Sequence, residues 1–162
     1  MTGPFSPSST IAPPASDAPA ETIRGDAFWP ELDLGHLRQA IRIDSTVTAE
    51  RLRDVARGAM LDIMGELETW RAEQVAAGHA TLGDVPARRR VDDLTDYQVR
   101  WIQAVHAVVA ADLGDRQLGQ SARAAGIERA EELAADVDHH RRNVTFAVRD
   151  FLGRPRIIAE VI

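Results

Sequence analysis

The longest regular pattern of apolar positions lies in AERLRDVARGAMLDIMGELETWRAEQVAAG. There Leu52, Val55, Ala59, Met60, Ile63, Leu67 and Trp70 recur at spacings of three and four, the signature of one buried helix face. Thr48 stands before this stretch as an N-cap and Gly78 after it as a stop, so a single helix is predicted over 49–77. A second stripe, Tyr97, Trp101, Ala104, Val105 and Val108, follows the capping-box pair Thr95 and Gln98. A third, Ala130, Leu133, Val137, Val144, Val148, Phe151 and Leu152, predicts a helix from about 127 to 152. A shorter helix opens behind Asp33, runs to about Ile43, and carries Leu37, Ala40 and Ile41 on one side. Gly114, Gly119 and Gly126 mark a softer stretch before the last helix. Period-two alternation is almost absent before the end of the chain, and no internal repeat is visible. The expected fold class is therefore all-α, a small four-helix bundle.

The two ends depart from this pattern. Residues 1–26 are crowded with Pro, Ser, Ala and Thr and carry too little apolar surface to offset the entropy of ordering. They are expected to form a disordered arm, with the bundle over 27–153 and an extended tail over 154–162. At the start of the bundle, Phe28 and Trp29 precede Pro30, which holds Trp29 extended. Such a pair is either a core staple beneath the first helix or an exposed docking plug. At the far end, in GRPRIIAEVI, Gly153 ends the helix and Pro155 prevents its continuation. Ile157, Ile158, Val161 and Ile162 then favour an extended chain, yet a lone strand is not stable. Either the tail folds back on the bundle or it lends its backbone to a neighbour by strand addition. The candidate interaction residues are thus Phe28, Trp29, Arg154, Pro155, Arg156, Ile157, Ile158, Val161 and Ile162.

Composition narrows the chemistry. A chain of 162 residues suits one domain, and 44% apolar with 27% charged residues is ordinary for a soluble protein. The absence of cysteine excludes disulfides, zinc knuckles and thiol catalysis. All 19 basic residues are arginine, which excludes lysine Schiff bases and the lysine-containing phosphate loop. His36, His79 and His106 stand apart in sequence, and the adjacent His139 and His140 point about a hundred degrees apart on a helix, so no metal site is expected. Serines lack a nucleophile elbow, the carboxylates are scattered, and no catalytic residue or cofactor site can be named. Met60 and Met64 read as core filling, and the Arg88–Arg90 run, followed at once by Asp92 and Asp93, reads as a solvated loop. No signal peptide or membrane-spanning run is seen, so synthesis in a cytoplasm is expected and no membrane partner.

A net charge of −6 disfavours nonspecific nucleic-acid binding. One stretch, LGQSARAAGIERAEELAADV, spaces Ala122 and Gly126 as a helix-turn-helix does. Its second helix would present Glu128, Glu131, Glu132 and Asp136 against Arg129 alone, a face phosphates repel. A small DNA-binding regulator is the alternative function on this ground, and a helical adaptor in an unrelated host assembly is a third.

Four features taken together carry a resemblance: the Phe28-Trp29-Pro30 opening, the Arg42-x-x-x-Thr46-Val47 stretch, AAGHATLGDVPA between long helices, and the closing Arg154-Pro155-Arg156. Over about residues 27 to 162 the chain closely resembles the head completion (head stabilisation) proteins of temperate contractile-tailed bacteriophages. It departs from them around 88–93 and 114–127, where no fixed pattern is expected. The resemblance implies a non-enzymatic virion protein at the portal vertex of the filled head. Its implied partners are the phage portal protein, further copies of itself in a ring of about twelve that matches the portal, and a tail-side connector or terminator protein. Packaged DNA would pass through that ring without sequence recognition, and the acidic charge suits a bore in which DNA slides.

Overall fold

The computed structural model describes residues 21–121 and 127–154, with the backbone alone for 119–121 and 127–133. The described chain is mostly helical, as the all-α class requires, but it holds five helices rather than four. In order these are β1 (Thr22–Ile23), β2 (Leu32–Asp33), α1 (Leu34–Ala40), α2 (Ala49–Glu66), α3 (Glu68–Ala76), a 3-10 turn at Leu82–Asp84, β3 (Arg90–Val91), β4 (Leu94–Thr95), α4 (Asp96–Ser121) and α5 (Ile127–Phe151). The long helix predicted over 49–77 breaks at Leu67, whose φ of −100° and ψ of 3° leave the α region. Gly65, a weak helix former, stands two residues before the break. The apolar periodicity carries straight through it, because Leu67 is itself buried at 1% exposure and belongs to the core.

α4 is the element the other long helices share: α5 runs antiparallel along it and α2 packs on it. Trp101, Ala104, Val105, Ala107, Val109 and Ala111 are all buried, so its apolar positions exceed one stripe, as suits a helix covered on more than one side. The single stripe read from sequence missed Ala107, Val109 and Ala111. Gly114, expected to begin a softer stretch, instead lies inside α4. A Cβ there would come within 2.7 Å of Val137 Cγ2 on α5, so the glycine marks a close helix contact and not a break.

Local cap chemistry sets most helix ends. Asp33, Thr48 and Thr95 accept from His36 N, Arg51 N and Gln98 N respectively, and Gln98 returns the Thr95 bond through Oε1 at 2.9 Å. Three helices end in the same paired-bond turn. At Gly78 (φ 95°) the bonds are Gly78 N to Val75 O and His79 N to Gln74 O; at Gly153 (φ 66°) they are Gly153 N to Asp150 O and Arg154 N to Arg149 O. The third closes α1 with Arg42 at φ 50°, a left-handed position where glycine would be unstrained. α1 therefore stops at Ala40, short of the expected Ile43.

Two segments read as unstructured are ordered. Composition places residues 21–26 in the arm, yet Thr22 and Ile23 pair antiparallel with Asp33 and Leu32, and Ile23 is buried. Arg53 Nη1 donates to Thr22 O at 3.4 Å and Arg71 pairs with Asp26 at 3.0 Å, so two helices tie down this segment. The Arg88–Asp93 stretch, expected as a solvated loop, enters a hairpin, with Arg90 opposite Thr95 and Val91 opposite Leu94. Its turn residues Asp92 and Asp93 both have positive φ, 48° and 64°, the backbone of a type I′ turn. Residues 1–20, 122–126 and 155–162 lie outside the described residues.

Candidate interaction site

Phe28 and Trp29 are core, not plug. They are 3% and 4% exposed, and burying two large rings leaves nothing of them for a partner in this conformation. Phe28 meets Trp29 edge-on at 5.0 Å, Trp29 stacks near Trp101 at 6.1 Å, and both rings join a cluster with Trp70, Tyr97 and Phe151. The Arg71 guanidinium lies 5.7 Å from the Phe28 ring centre. Phe28 O accepts from Leu82 N at 2.8 Å, and Leu82 and Val85, within the ATLGDVPA segment, are buried in the same core. Thr81 and Asp84 hold that segment with a reciprocal cap.

Phe151 makes this cluster matter for the tail. It is the last residue of α5, buried against Trp70 at 4.6 Å, and two residues later Gly153 turns the chain out to Arg154. Segments far apart in sequence, FWP, ATLGDVPA and the root of GRPR, thus meet at one end of the molecule. Beside them opens a cleft of about 730 Å³ lined by Arg88, Arg89, Val91, Tyr97, Phe151 and Arg154 among others. The Arg88 guanidinium sits over Gly153, close enough that a Cβ there would come within 3.0 Å of Nη2. Arg100 and Asp150 pair at 3.1 Å across α4 and α5 at the same place. Of the sequence-derived candidates, Arg154 is exposed at the cleft; Pro155, Arg156, Ile157, Ile158, Val161 and Ile162 lie outside the described residues. Sequence reading missed Arg88, Arg89 and Val91, since only their spatial approach to Gly153 sets them apart from a solvated loop.

The Arg42-Thr46-Val47 stretch has a structural part as well. Arg38 donates to Val47 O at 2.8 Å and Asp44 O at 3.3 Å, pinning the turn between α1 and α2. Thr46 N donates to Asp44 Oδ1, and this bond, with one from the Thr46 side chain, holds the Asp44 carboxyl below its ordinary range. His36 and His106, distant in sequence, are brought to 5.6 Å between ring centres, which corrects the view of them as isolated. Burial, with His36 beside it, lowers His106 to about 4. No third ligand completes a metal site: among the described residues no group of three His, Asp or Glu side chains is placed to hold an ion.

The family follows from comparison with known proteins: residues 23–162 match the phage head completion protein (GPL) family, and the chain belongs to it. It is 32% identical over 155 residues, 94% of this chain and 88% of the relative, to the head completion/stabilization protein of Escherichia phage P2. No solved structure matches. The chain is accordingly a structural, virion-associated phage protein of a non-enzymatic family. The helix-turn-helix reading finds no support in these relatives, and its turn, 122–126, lies outside the described residues.

Proposed function

We propose that the chain completes and stabilises the DNA-filled head by forming a connector ring on the portal protein, at the portal vertex, and by presenting the surface on which a tail-side connector or terminator protein docks. The observation that carries this reading is the fixed exit of the tail: Phe151 is anchored in the aromatic cluster and Gly153 and Arg154 are held by two backbone bonds. The chain thus leaves the body at one fixed point, Arg154, and the β-branched residues Ile157, Ile158, Val161 and Ile162 of the sequence that follows suit strand addition to the portal or the next copy. Distinct surfaces meeting in a head-to-tail manner close into a ring when the rotation permits, and the family resemblance implies about twelve copies, matching the portal. Packaged DNA passes through the bore without sequence recognition, eased by the net charge of −6.

The test is the mass, by light scattering after size exclusion, of portal rings from the same phage mixed with this protein. A gain of about one chain per portal subunit is expected. Absence of any gain with both proteins folded, and with DNA-filled heads substituted for bare portals, overturns the portal assignment.

A further inference from the structure

Four large apolar side chains stand exposed among the described residues, and they fall in two places. Val91, 61% exposed, and Leu94 lie on the β3–β4 hairpin beside the cleft; Leu61, 69% exposed, and Val75 lie on the outer faces of α2 and α3. The two surfaces share no residue. Their charges are opposite. The cleft is lined by four arginines and two aspartates, with Asp150 engaged by Arg100, while Arg88, Arg89 and Arg154 make no ion pair among the described residues. Around Leu61 the outer face of α2 carries Glu50, Asp54 and Asp62 with Arg57, which pairs with Asp54, and the half-buried Arg51.

Leu61 is also unusually accessible to a close neighbour. Gly58 and Gly65 stand three residues before and four after it, on the same face of α2. A Cβ at either glycine would meet nothing within 4 Å, so neither is required by packing within the chain, and each weakens the helix relative to alanine. They clear the space on both sides of one protruding apolar side chain, the form of an interface anchor.

We propose that these surfaces are the two halves of one contact between copies of this chain: Leu61 of one copy seats in the cleft of the next, beside Val91, Tyr97 and Phe151, with the α2 carboxylates against Arg88, Arg89 and Arg154. The proposal rests on the ring reading and supplies its interface. Charge selects this pairing over α2 against α2, where carboxylates would face carboxylates, and over cleft against cleft, where arginines would meet. Because the halves are different surfaces, each copy keeps one of each free and the contact propagates until it closes.

The chain has no cysteine, so a disulfide test has a clean background. Phage carrying the double change Leu61→Cys and Val91→Cys, oxidised as assembled virions and run without reductant, should give a ladder of multimers of this protein. Either change alone should give monomer. No ladder, in virions that after reduction show several copies per particle, overturns the contact while leaving the ring reading intact; a single copy per particle or none overturns both. A dimer from Leu61→Cys alone means that α2 meets its own copy, and a disulfide to another virion protein means that a different partner fills the site; either result overturns the pairing. Should the double variant fail to fold, Leu61→Arg decides. It brings a cation to the cationic cleft and should reduce copies per virion by about tenfold with an unchanged melting curve, and an unchanged copy number refutes the proposal.

Discussion

At Trp29 the chain commits a large ring to the interior at a position where sequence permits either a staple or a plug. Its contacts with Phe28, Trp101 and Phe151 predict that Trp29→Ala costs about 3–5 kcal/mol, the range for truncating a buried aromatic. Denaturant unfolding measures it; a loss of assembly with unaltered stability would restore the docking role. His106 makes a second residue-scale prediction. Its folded value near 4 lies below the ordinary 6.5, so the unfolded chain binds the proton first as pH falls. The stability it contributes is full above about pH 6.5 and is lost between there and pH 4. The ring is half-buried, and solvent screening reduces the loss to about 1–2 kcal/mol. Urea midpoints for wild type and His106→Phe across this window should diverge, with the variant showing the flatter profile.

Elements show why the same substitution can have opposite signs. Gly58→Ala adds a methyl to open space on α2 and should raise stability of the free chain by about 0.5–1 kcal/mol. Gly114→Ala drives a methyl against Val137 and should destabilise by about 1–3 kcal/mol despite the better helix propensity. Thermal melts of the pair test both signs at once. Arg42→Gly should relieve the left-handed strain at the end of α1 and stabilise by about 0.5–1 kcal/mol. Caps were legible in advance because their chemistry is confined to three or four neighbouring residues, as Thr48, Thr95, Gly78 and Gly153 show. The break at Leu67 was not, since an apolar residue continues the stripe whether or not the backbone bends beneath it. The hairpin at Asp92 and Asp93 escaped notice because its turn lacks the glycine that usually marks one.

On the scale of the whole molecule, the body and its tail should separate experimentally. Truncation after Arg154 keeps the paired bonds that end α5 and leaves the aromatic cluster whole, so the body should still fold, which a cooperative thermal melt checks. Loss of stable filled heads in phage carrying that truncation would show that residues beyond 154 act on a partner; full head yield would remove the tail from the assembly mechanism. A ring contact built from opposed charges should also weaken with salt, in the manner of screened surface pairs.

Sequence by itself determined the all-α class, the helix ends that carry a local cap, most of the core, and the family. Those properties rest on periodicity, on local caps and on short segments whose residues identify themselves without their surroundings. Only the tertiary structure decided that Phe28 and Trp29 belong to the interior, that Gly114 admits α5, that Ile23 joins the fold, and that His36 stands beside His106. It alone brought the arginines at 88 and 89 to the root of the tail and set Leu61 apart on an opposite charge. Each of these depends on which distant residues become neighbours, and that is fixed by how helices pack across the whole chain and not by the character of any one stretch.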